Sequence, residues 1–381
     1  MAGFSQNISL LILFGFFVLL GIFAYLLGGI LLKFATNLGV RSHGDDAIRW
    51  TSATKPSLGG ILFFFSFLLS TVFYLIILSK NSQFNNLEFM GMVVCCTLGF
   101  IMGLADDAYN TRPLLKLFVQ ILCGVVAILC GNQIHIFSNN IINYIVTIVW
   151  FVGIMNSLNM LDNMDAITSS VSIVACIFML ILSYHTNTLF SYDTIILYDS
   201  ILLIGMAASI IAFLRYNWHP SKMFMGDSGS QFMGAFLAYA AIKILWNANT
   251  VGTGSTTSVL FFILLPVSFF IITISDTTAV FINRLLNRKS PFIGGKDHTT
   301  HHLVFAGLKQ RTVAILYIVI SSLSSLGGFL IYYYHLYNDL PIVILFGLAL
   351  FTIFVSLFIV TRKYKNELEP GHSETTERKQ E

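Results

Sequence analysis

Eleven apolar stretches, most of them about 20 residues long, follow one another along the 381-residue chain and limit its fold more than any other feature. A helix needs about 20 apolar residues to cross the roughly 30 Å hydrocarbon layer of a bilayer. Charged residues make up only 10% of the chain, against about 25% in soluble domains. The sequence therefore predicts an all-α, polytopic membrane protein with about 11 transmembrane helices. The stretches lie at 8–33, 58–79, 89–105, 116–136, 141–158, 166–184, 194–214, 228–247, 257–284, 312–335 and 342–361.

Basic residues are concentrated on one side of this arrangement. Of the 21 Lys and Arg residues, 19 fall in one set of loops or at the helix ends that border it. By the positive-inside rule that side is cytoplasmic, so the N terminus lies outside and the C terminus in the cytoplasm. We therefore expect a multi-pass protein of the inner membrane, with a membrane domain at 1–361 and a flexible tail at 362–381. The cytoplasmic loops are 34–57, 106–115, 159–165, 215–227 and 285–311.

Carboxylates lie at the cytoplasmic ends of several apolar stretches. A charged side chain near hydrocarbon is costly, by about 2.5–3.5 kcal/mol at a helix centre. A chain with only 18 acidic residues would not place several of them there without a use for the charge. The use that we predict is to hold a metal ion and a polyphosphate. The carboxylates are Asp106, Asp107, Asp162, Asp165 and Asp227.

The adjacent pair Asp106 and Asp107 ends one apolar stretch. Neighbouring side chains on a helix point about 100° apart, so both can face one ligand only if the helix ends there. Pro113 makes a break nearby expected. The alternative is a solvated helix end with Arg112 as the ion-pair partner, and the residues alone favour neither interpretation.

Amide and carboxylate side chains share one helical face in the next cytoplasmic segment. Spacings of three and four place Asn159 beside Asn156, Asp162 and Asn163. Such side chains supply the hard oxygen ligands that Mg²⁺ prefers and hydrogen bonds to a nucleotide. A cluster that merely caps a helix at the membrane surface is the alternative. Four acidic or amide groups within eight residues favour the ligand-binding interpretation.

The segment Gly226-Asp-Ser-Gly-Ser230 opens another apolar stretch. The backbone N–H groups and the dipole of the helix that begins there are expected to face a bound phosphate. Asp227 as an ordinary N-cap is the alternative, and a cap that also binds a metal satisfies both interpretations.

Three histidines fall within five positions of the longest cytoplasmic loop, at His298, His301 and His302. The positive-inside rule explains the basic residues around them but not the histidines. A zinc site is an alternative without Cys or HExxH support. Contact of imidazole with a phosphate or sugar, next to Lys296 and Arg311, fits better.

Taken together and in order, these elements resemble the polyprenyl-phosphate N-acetylhexosamine-1-phosphate transferase superfamily, also called glycosyltransferase family 4. Within it, the chain is more similar to the branch that uses UDP-N-acetylglucosamine. The family usually has Asp-Gly-x-Asp-Gly where this chain has Asp162-Asn-Met-Asp-Ala166. The matching elements are Lys55-Pro-Ser-Leu-Gly-Gly60, Asp106-Asp107, the Asn159 to Asp165 element, Asn217-x-His-Pro, Met225-Gly-Asp-Ser-Gly-Ser230, Asp276 with Arg284, and Ser290-Pro-Phe with the histidine loop.

The resemblance implies a reaction and its cofactor. A polyprenyl phosphate, undecaprenyl phosphate by expectation, attacks the β-phosphorus of a UDP-amino-sugar, releases UMP and forms a polyprenyl-diphospho-sugar. This is the first membrane step of a cell-surface glycan pathway, such as lipopolysaccharide or teichoic acid synthesis. Because an anion meets a diphosphate, a divalent cation and basic groups must offset the repulsion. We expect Mg²⁺, with Mn²⁺ as an alternative.

Residue roles follow from the same resemblance. Asp227 and Asn159 are expected to hold the metal, with Asp162 supporting them. Asp106 and Asp107 are expected to position the lipid phosphate, since a phosphate with a second pKa near 6 needs no base at neutral pH. The residues expected to bind the substrates are Asn156, Lys116, His301, His302, Arg311 and Lys55. We expect the Asn156 amide and the Lys116 amine to contact the nucleotide or phosphates, and the imidazoles and Arg311 to contact the sugar phosphate.

Other functions stay open at this point. One keeps the fold but uses the muramoyl-pentapeptide donor of peptidoglycan synthesis. An ion-coupled transporter would need acids near mid-bilayer, whereas the acids of this chain cluster at one face, and Asp276 is one that lies inside a stretch. A purely structural role does not account for the histidine loop. As partners we expect the two substrates and the lipid bilayer, no nucleic acid, and a homodimer as an option.

Overall fold

A computed structural model describes residues 2–38, 55–78, 87–189, 196–248, 256–290, 295 and 297–364. The regular secondary structure of this part of the chain is helical, and a single β-bridge joins Ser57 to Phe224. The prediction of an all-α polytopic membrane protein is confirmed. The α-helices are α1 Ala2–Leu38, α2 Gly59–Leu78, α3 Leu87–Tyr109, α4 Pro113–Leu129, α5 Asn140–Leu161, α6 Ile167–Leu189, α7 Ile196–Asn217, α8 Gly226–Ala241, α9 Thr256–Phe269, α10 Ile271–Leu286, α11 Thr299–Phe305, α12 Gln310–Tyr333 and α13 Leu340–Lys363.

Each predicted apolar stretch corresponds to one helix, except 257–284, which corresponds to the two helices α9 and α10. Eight helices in the described residues are long and apolar enough to cross a membrane, or nine spans when α9 and α10 count as one. The helices α4 and α8 have only 17 and 16 residues. This count rests on length and composition alone, and α8 runs on without a gap into a π-helical turn that ends at Trp246.

The stretch predicted as one span at 257–284 is broken. The helices α9 and α10 meet at an angle of 85° around Phe270. Pro266 lies in the last turn of α9, where its missing N–H and its ring weaken a helix. The start of α10, and with it Asp276, therefore takes a direction that a straight span would not give it.

The helix α8 forms the centre of the molecule. All residues from 228 to 241 are buried, and the helix packs against α2, α3 and α5. Gly, Ala and Ser recur along α8, and such small side chains let the neighbouring helices approach its backbone closely. It continues into a π-helical turn at Ile242–Trp246. The residues at its start, Gly226 and Asp227, thus lie where four helices converge.

Two glycines bring neighbouring helices into backbone contact with the start of α8. A Cβ atom at Gly103 would collide with the carbonyl of Asp227. A Cβ atom at Gly60 would collide with the backbone of Ser228 and Gly229. Only glycine permits this approach. The position of Asp227 is therefore set by α2 and α3 together.

The Pro-x-x-Gly-Gly segment continues this contact as a short extended pairing. The amide of Phe224 donates to the Pro56 carbonyl at 3.0 Å, and the amide of Gly59 donates to the Phe224 carbonyl at 3.1 Å. Gly60 N–H donates to the Met225 carbonyl at 3.1 Å. The segment that precedes α8 is thus bonded to the segment that precedes α2.

Three parts of the predictions lie outside the described residues. They are residues 39–54 of the first cytoplasmic loop, residues 291–294 and 296 of the histidine loop, and residues 365–381 of the tail that we expect to be flexible. The predicted orientation, with the N terminus outside and the C terminus in the cytoplasm, stays a prediction.

Candidate active site

The ends of α3, α4 and α8 meet in an ion-pair cluster centred on Lys116. The ammonium group of Lys116, in the first turn of α4, pairs with Asp106 and lies 3.4 Å from Oδ2 of Asp227. Asp106 also accepts hydrogen bonds from the backbone N–H and the hydroxyl of Thr111, at 2.8 and 2.6 Å. Asp106 is buried and held on both oxygens, so it directs the Lys116 amine toward Asp227.

Asp227 is the exposed end of this cluster. Its carboxylate is 35% exposed, against 3% for the side chain of Asp106. The amide nitrogen of Asn159 donates to Oδ1 of Asp227 at 2.6 Å and to the Ser230 hydroxyl at 2.8 Å. The structure therefore brings together Asn159 and Asp227, the two residues predicted to hold the metal. It also places the amine of Lys116 in the same cluster.

Asp107 bonds to the start of α8. Its Oδ1 accepts from the N–H of Asp227 and its Oδ2 from the N–H of Ser228, both at 2.9 Å. The expectation that these two amides face a phosphate is wrong, because a carboxylate from α3 already uses them. Asp227 is not the N-cap either, since Met225 holds that position without a side-chain cap. Asp107 thus supplies the capping interaction from another helix.

Asp106 and Asp107 have different partners, as side chains about 100° apart on a helix must, and their predicted contact with the lipid phosphate stays a prediction. Asp106 and Asp107 both lie within α3, which runs on to Tyr109. The first contacts Thr111 and Lys116, whereas the second contacts the backbone of α8. The ion-pair partner of Asp106 is Lys116, and not Arg112 as in the alternative interpretation.

Asp162 follows the last residue of α5 and adds negative charge to the same region. Burial, and then the charges of Asp227 and Asp107, raise the pKa of Asp162 to about 8. A carboxyl group made more basic by neighbouring carboxylates indicates a site that favours a cation. No three His, Cys, Asp or Glu side chains of the described ranges converge on one metal position. Mg²⁺ needs only one or two protein carboxylates when substrate phosphates supply other ligands, so Asp227 and Asp162 fit it.

Three amide side chains form a buried layer one helical turn beyond this cluster. Asn156 and Gln120 exchange two hydrogen bonds, at 2.9 and 3.0 Å. Gln120 also donates to Oε1 of Gln231 at 3.2 Å. The layer links α4, α5 and α8, and the sequence offered no sign of it because the three residues are far apart in the chain. The predicted contact of Asn156 with the nucleotide stays a prediction.

Asp165 is the centre of a second polar cluster. It accepts from the backbone N–H and the hydroxyl of Ser221, at 3.0 and 2.6 Å, and lies 3.0 Å from Nδ1 of His219. Lys55 approaches it at 3.9 Å and donates to the Ser221 hydroxyl at 3.1 Å. The structure thus gives Lys55 a partner in this chain, beside the ring of Phe224 at 5.2 Å. The Asn217-x-His-Pro element was the one sequence signal for this cluster.

The histidines predicted to bind the sugar phosphate lie on the short helix α11. Both His301 and His302 are buried, and burial lowers the pKa of His302. The hydroxyl of Thr300 donates to Oδ1 of Asn163 at 2.6 Å, which joins α11 to the turn that carries Asp162. Residues 291–294 and Lys296 of this loop lie outside the described residues.

Arg311, at the start of α12, reaches the loop around Asp165. Its Nε donates to the His219 carbonyl at 2.9 Å. Because His219 also contacts Asp165, Arg311 belongs to the rim of the second cluster. Its predicted contact with the sugar phosphate stays a prediction.

Ala166 has a left-handed backbone where the family usually has glycine. Its φ is +64°, and its N–H donates to Oδ1 of Asn217 at 3.0 Å. A residue with a Cβ atom loses about 1–2 kcal/mol in this conformation, whereas glycine does not. Glycine in turn loses about 0.4–1 kcal/mol through the entropy of the unfolded chain. We expect Ala166→Gly to raise the free energy of unfolding by about 0.5–1 kcal/mol, measured in detergent by denaturant titration.

Ala175→Gly is the matched control, because Ala175 is buried within the following helix α6. We expect it to lower the free energy of unfolding by about 0.5–1 kcal/mol, the usual cost of glycine inside a helix. Equal destabilisation by the two substitutions would show that the left-handed backbone at Ala166 carries no strain.

Comparison with known proteins agrees with the fold and this site. The profile of the family described as Glycosyl transferase family 4 matches residues 89–245, which include α3 to α8. A probable undecaprenyl-phosphate N-acetylglucosaminyl 1-phosphate transferase of Bacillus subtilis is 25% identical over 69% of this chain and 70% of its own. A phospho-N-acetylmuramoyl-pentapeptide-transferase of Aliarcobacter butzleri is 26% identical over 72% and 80%. A decaprenyl-phosphate N-acetylglucosaminephosphotransferase of Mycobacterium leprae is 25% identical over 76% and 78%.

The relatives indicate that this multi-pass membrane protein is a phosphotransferase. Residues 89–245, which carry the ion-pair cluster, match glycosyl transferase family 4, and the chain is similar to polyprenyl-phosphate N-acetylhexosamine-1-phosphate transferases.

Proposed function

We propose that this protein transfers N-acetylglucosamine 1-phosphate from its UDP derivative to undecaprenyl phosphate and releases UMP. The observation that carries the proposal is the cluster of Asp106, Lys116, Asp227 and Asn159 at the start of α8, beside Asp162. Two relatives whose names include N-acetylglucosamine support this donor. The muramoyl-pentapeptide donor is the second candidate, because a relative named for it is equally similar.

The reaction requires charge stabilisation more than covalent chemistry. An oxygen of the lipid phosphate forms a bond to the β-phosphorus of the donor, and the bond from that phosphorus to UMP breaks. Transfer of this kind depends on positioning and on offsetting negative charge. Lys116 supplies a positive charge between Asp106 and Asp227, and Thr111 and Asp106 hold that lysine in place. We assign Lys116 to the reacting phosphates on this basis.

Asp227, Asn159 and Asp162 would hold Mg²⁺, with Mn²⁺ as an alternative. When bound, the ion would offset the charge of the diphosphate. Asp106 and Asp107 then have different tasks, neither of which is proton abstraction. Asp106 orients Lys116, and Asp107 orients the first turn of α8 and so Asp227.

His301 and His302 on α11, with Arg311, are assigned to the sugar phosphate. Lys55 and Asn156 are assigned to the nucleotide.

We further place the site on the cytoplasmic face of the inner membrane. The support is the concentration of 19 of 21 basic residues on the side of the site. The helix ends that meet in the site belong to that side, since α3 and α5 end there and α4 and α8 begin there.

A panel of donors tests the proposed function. Purified protein in detergent or vesicles is given undecaprenyl phosphate, Mg²⁺ and one UDP-sugar at a time, and UMP release is measured. We expect the highest kcat/KM with UDP-N-acetylglucosamine. Higher kcat/KM with the muramoyl-pentapeptide donor would replace the first candidate by the second, and no UMP release with any donor would overturn both. Chiral labelling of the β-phosphorus separates direct transfer, which inverts its configuration, from a covalent aspartyl intermediate, which retains it.

The stability of the protein without divalent cations is expected to fall as the pH rises from about 6 to about 8. The pKa of Asp162 is raised to about 8 in the folded protein, from about 3.9 in an unfolded chain. The folded state therefore binds the extra proton more tightly, and its free energy of unfolding decreases as that proton is lost. Thermal unfolding with a chelator present, at pH 6 and at pH 8, measures the effect. Adding Mg²⁺ at pH 8 is expected to raise the midpoint again.

Asp162→Asn provides the control for this pH dependence, because an amide does not titrate. The variant is expected to show a smaller difference between its midpoints at the two pH values. A difference as large as that of the original protein would assign the pH dependence to another group.

A further inference from the structure

We propose that Asp276, acting through His298 and Thr299, is a positioning residue that holds His301 where the donor binds. The inference rests on the proposed function, which assigns His301 to the sugar phosphate. Neither the ion-pair cluster around Lys116 nor the cluster around Asp165 uses Asp276, although it is a fully buried acidic residue inside an apolar stretch.

Asp276 is a carboxylate at 0% exposure in α10, which begins directly after the 85° break. A carboxylate is buried in this way only when hydrogen bonds compensate for its lost hydration. Its oxygens have three donors. The N–H of Thr299 lies 2.7 Å and its hydroxyl 2.5 Å from Oδ1, and Nδ1 of His298 lies 2.8 Å from Oδ2.

The network extends to a third helix and has a defined direction. The hydroxyl of Tyr317, in α12, lies 2.6 Å from the hydroxyl oxygen of Thr299. Because the Thr299 hydroxyl donates to Asp276, Tyr317 donates to Thr299. Asp276 as an acceptor likewise assigns the Nδ1 proton to His298, so the imidazole has one orientation and one tautomer.

These bonds fix the start of α11 and therefore the histidine that follows. His298 and Thr299 are bonded to α10, and Thr300 is bonded to Asn163 beside Asp162. His301 is the next residue, and its ring meets the ring of His298 edge-on, with centroids 5.6 Å apart. Three consecutive residues thus hold His301 between α10 and the turn after α5.

A second contact from α10 supports the same segment. The guanidinium of Arg284 donates from Nε to Oδ2 of Asp297 at 2.7 Å and from Nη2 to Oδ1 at 2.6 Å. Burial alone would raise the pKa of Asp297, but Arg284 holds it below its usual value. Because Asp297 directly precedes His298, two residues about two turns apart on α10 hold the segment that leads into α11. This explains why the sequence element pairs Asp276 with Arg284.

The hydrogen bonds from Asp276 to the start of α11 are expected to affect binding of the donor and not binding of the lipid phosphate. The helix α11 packs against α10, α12 and α13 and is bonded to the turn of Asp162. The lysine assigned to the reacting phosphates, Lys116, lies on α4, and Asp106, which orients it, lies on α3. Loosening α11 should therefore weaken donor binding and leave the KM for the polyprenyl phosphate unchanged.

Thr299→Val tests the proposal, because valine has the shape of threonine without the hydroxyl that joins Asp276 to Tyr317. We expect the Kd for UDP-N-acetylglucosamine, measured by calorimetry on the purified full chain, to rise about tenfold, as misplacement of a binding group predicts. The donor KM should rise by the same factor, with the KM for undecaprenyl phosphate unchanged. Thr299→Ser keeps the hydroxyl and is expected to stay within about twofold of the original values.

Two further variants keep the test decisive. Ser275→Ala removes a neighbouring buried hydroxyl that has no hydrogen-bond partner among the described residues, and it should leave both constants unchanged. Tyr317→Phe removes only the outer hydroxyl of the network, so it replaces Thr299→Val if that variant does not fold. It is expected to raise the donor Kd about threefold, as a weaker form of the same misplacement.

Each result decides the question. If Thr299→Val binds the donor with the same affinity as the original protein, the positioning role of Asp276 is overturned. A parallel loss for both substrates that follows the folded fraction also overturns it, because it indicates a structural role only. Donor binding without UMP release overturns the proposed function alone, and absence of donor binding in the original protein overturns both.

Discussion

Replacing Asp227 by alanine is expected to lower kcat by about 1,000-fold or more, the range seen when a charge-stabilising group is removed from an active site. Asp227 is where the amine of Lys116 and the amide of Asn159 meet, and its carboxylate is the exposed one of the cluster. The fold should survive, because Asp107 and not Asp227 caps α8. UMP release at saturating substrates measures the loss, and the thermal midpoint reports folding.

Asp339→Asn is the matched control for this variant. Asp339 precedes α13, where its carboxylate accepts a hydrogen bond from Ile342, and it is exposed. Asparagine is an equally good N-cap, so neither activity nor stability should change. Transferase activity of Asp227→Ala at more than about a tenth of the original value would remove Asp227 from the reaction, since metal or charge stabilisation there accounts for far more.

Replacing Lys116 by methionine is expected to reduce kcat/KM by about 100-fold or more. The substitution removes the one side chain that pairs with both Asp106 and Asp227, and it leaves these carboxylates without their cation. Breaking such a pair from one side costs about 3–5 kcal/mol when the remaining charge is buried. Lys116→Arg keeps the charge in a longer, planar group and should recover only part of the activity.

Lys222→Met controls for the loss of a positive charge on the same side, because Lys222 is exposed and precedes α8 by only a few residues. Its kcat/KM should stay within about twofold, as for a surface substitution. A double-mutant cycle adds Asp106→Asn. If Asp106 acts through Lys116, this change costs much less in Lys116→Met than in the original protein. Additive losses in the cycle would contradict the role that we assign to Asp106.

Much of the site could be predicted from the sequence because its residues lie at the ends of apolar stretches. Each stretch became a helix, and the acids at their ends came together where α3, α5 and α8 meet. The pairing of Asn159 with Asp227 followed from residue chemistry and the resemblance. A spacing of 68 positions between them carries no geometric information of its own.

Other features depend on contacts that no local pattern encodes. Asp165 binds Ser221, 56 positions later, and Gln120 binds Gln231, 111 positions later. The break at Phe270 is invisible to hydropathy because both halves are apolar. Adjacent aspartates could be predicted to diverge, but which one would cap α8 depends on the packing of α3 against it. Such packing is set at Gly103, where the backbones touch.

The capping of α8 by Asp107 has a consequence for how the protein is made. The carboxylate that receives the first amides of α8 is synthesised 120 residues before them. Chains fold from the N terminus during synthesis, so α3 is already in the membrane when the start of α8 leaves the ribosome. When α8 forms, Asp107 is already available to accept its first hydrogen bonds. The position of the Asp227 carboxylate is therefore set by α3, which is synthesised earlier.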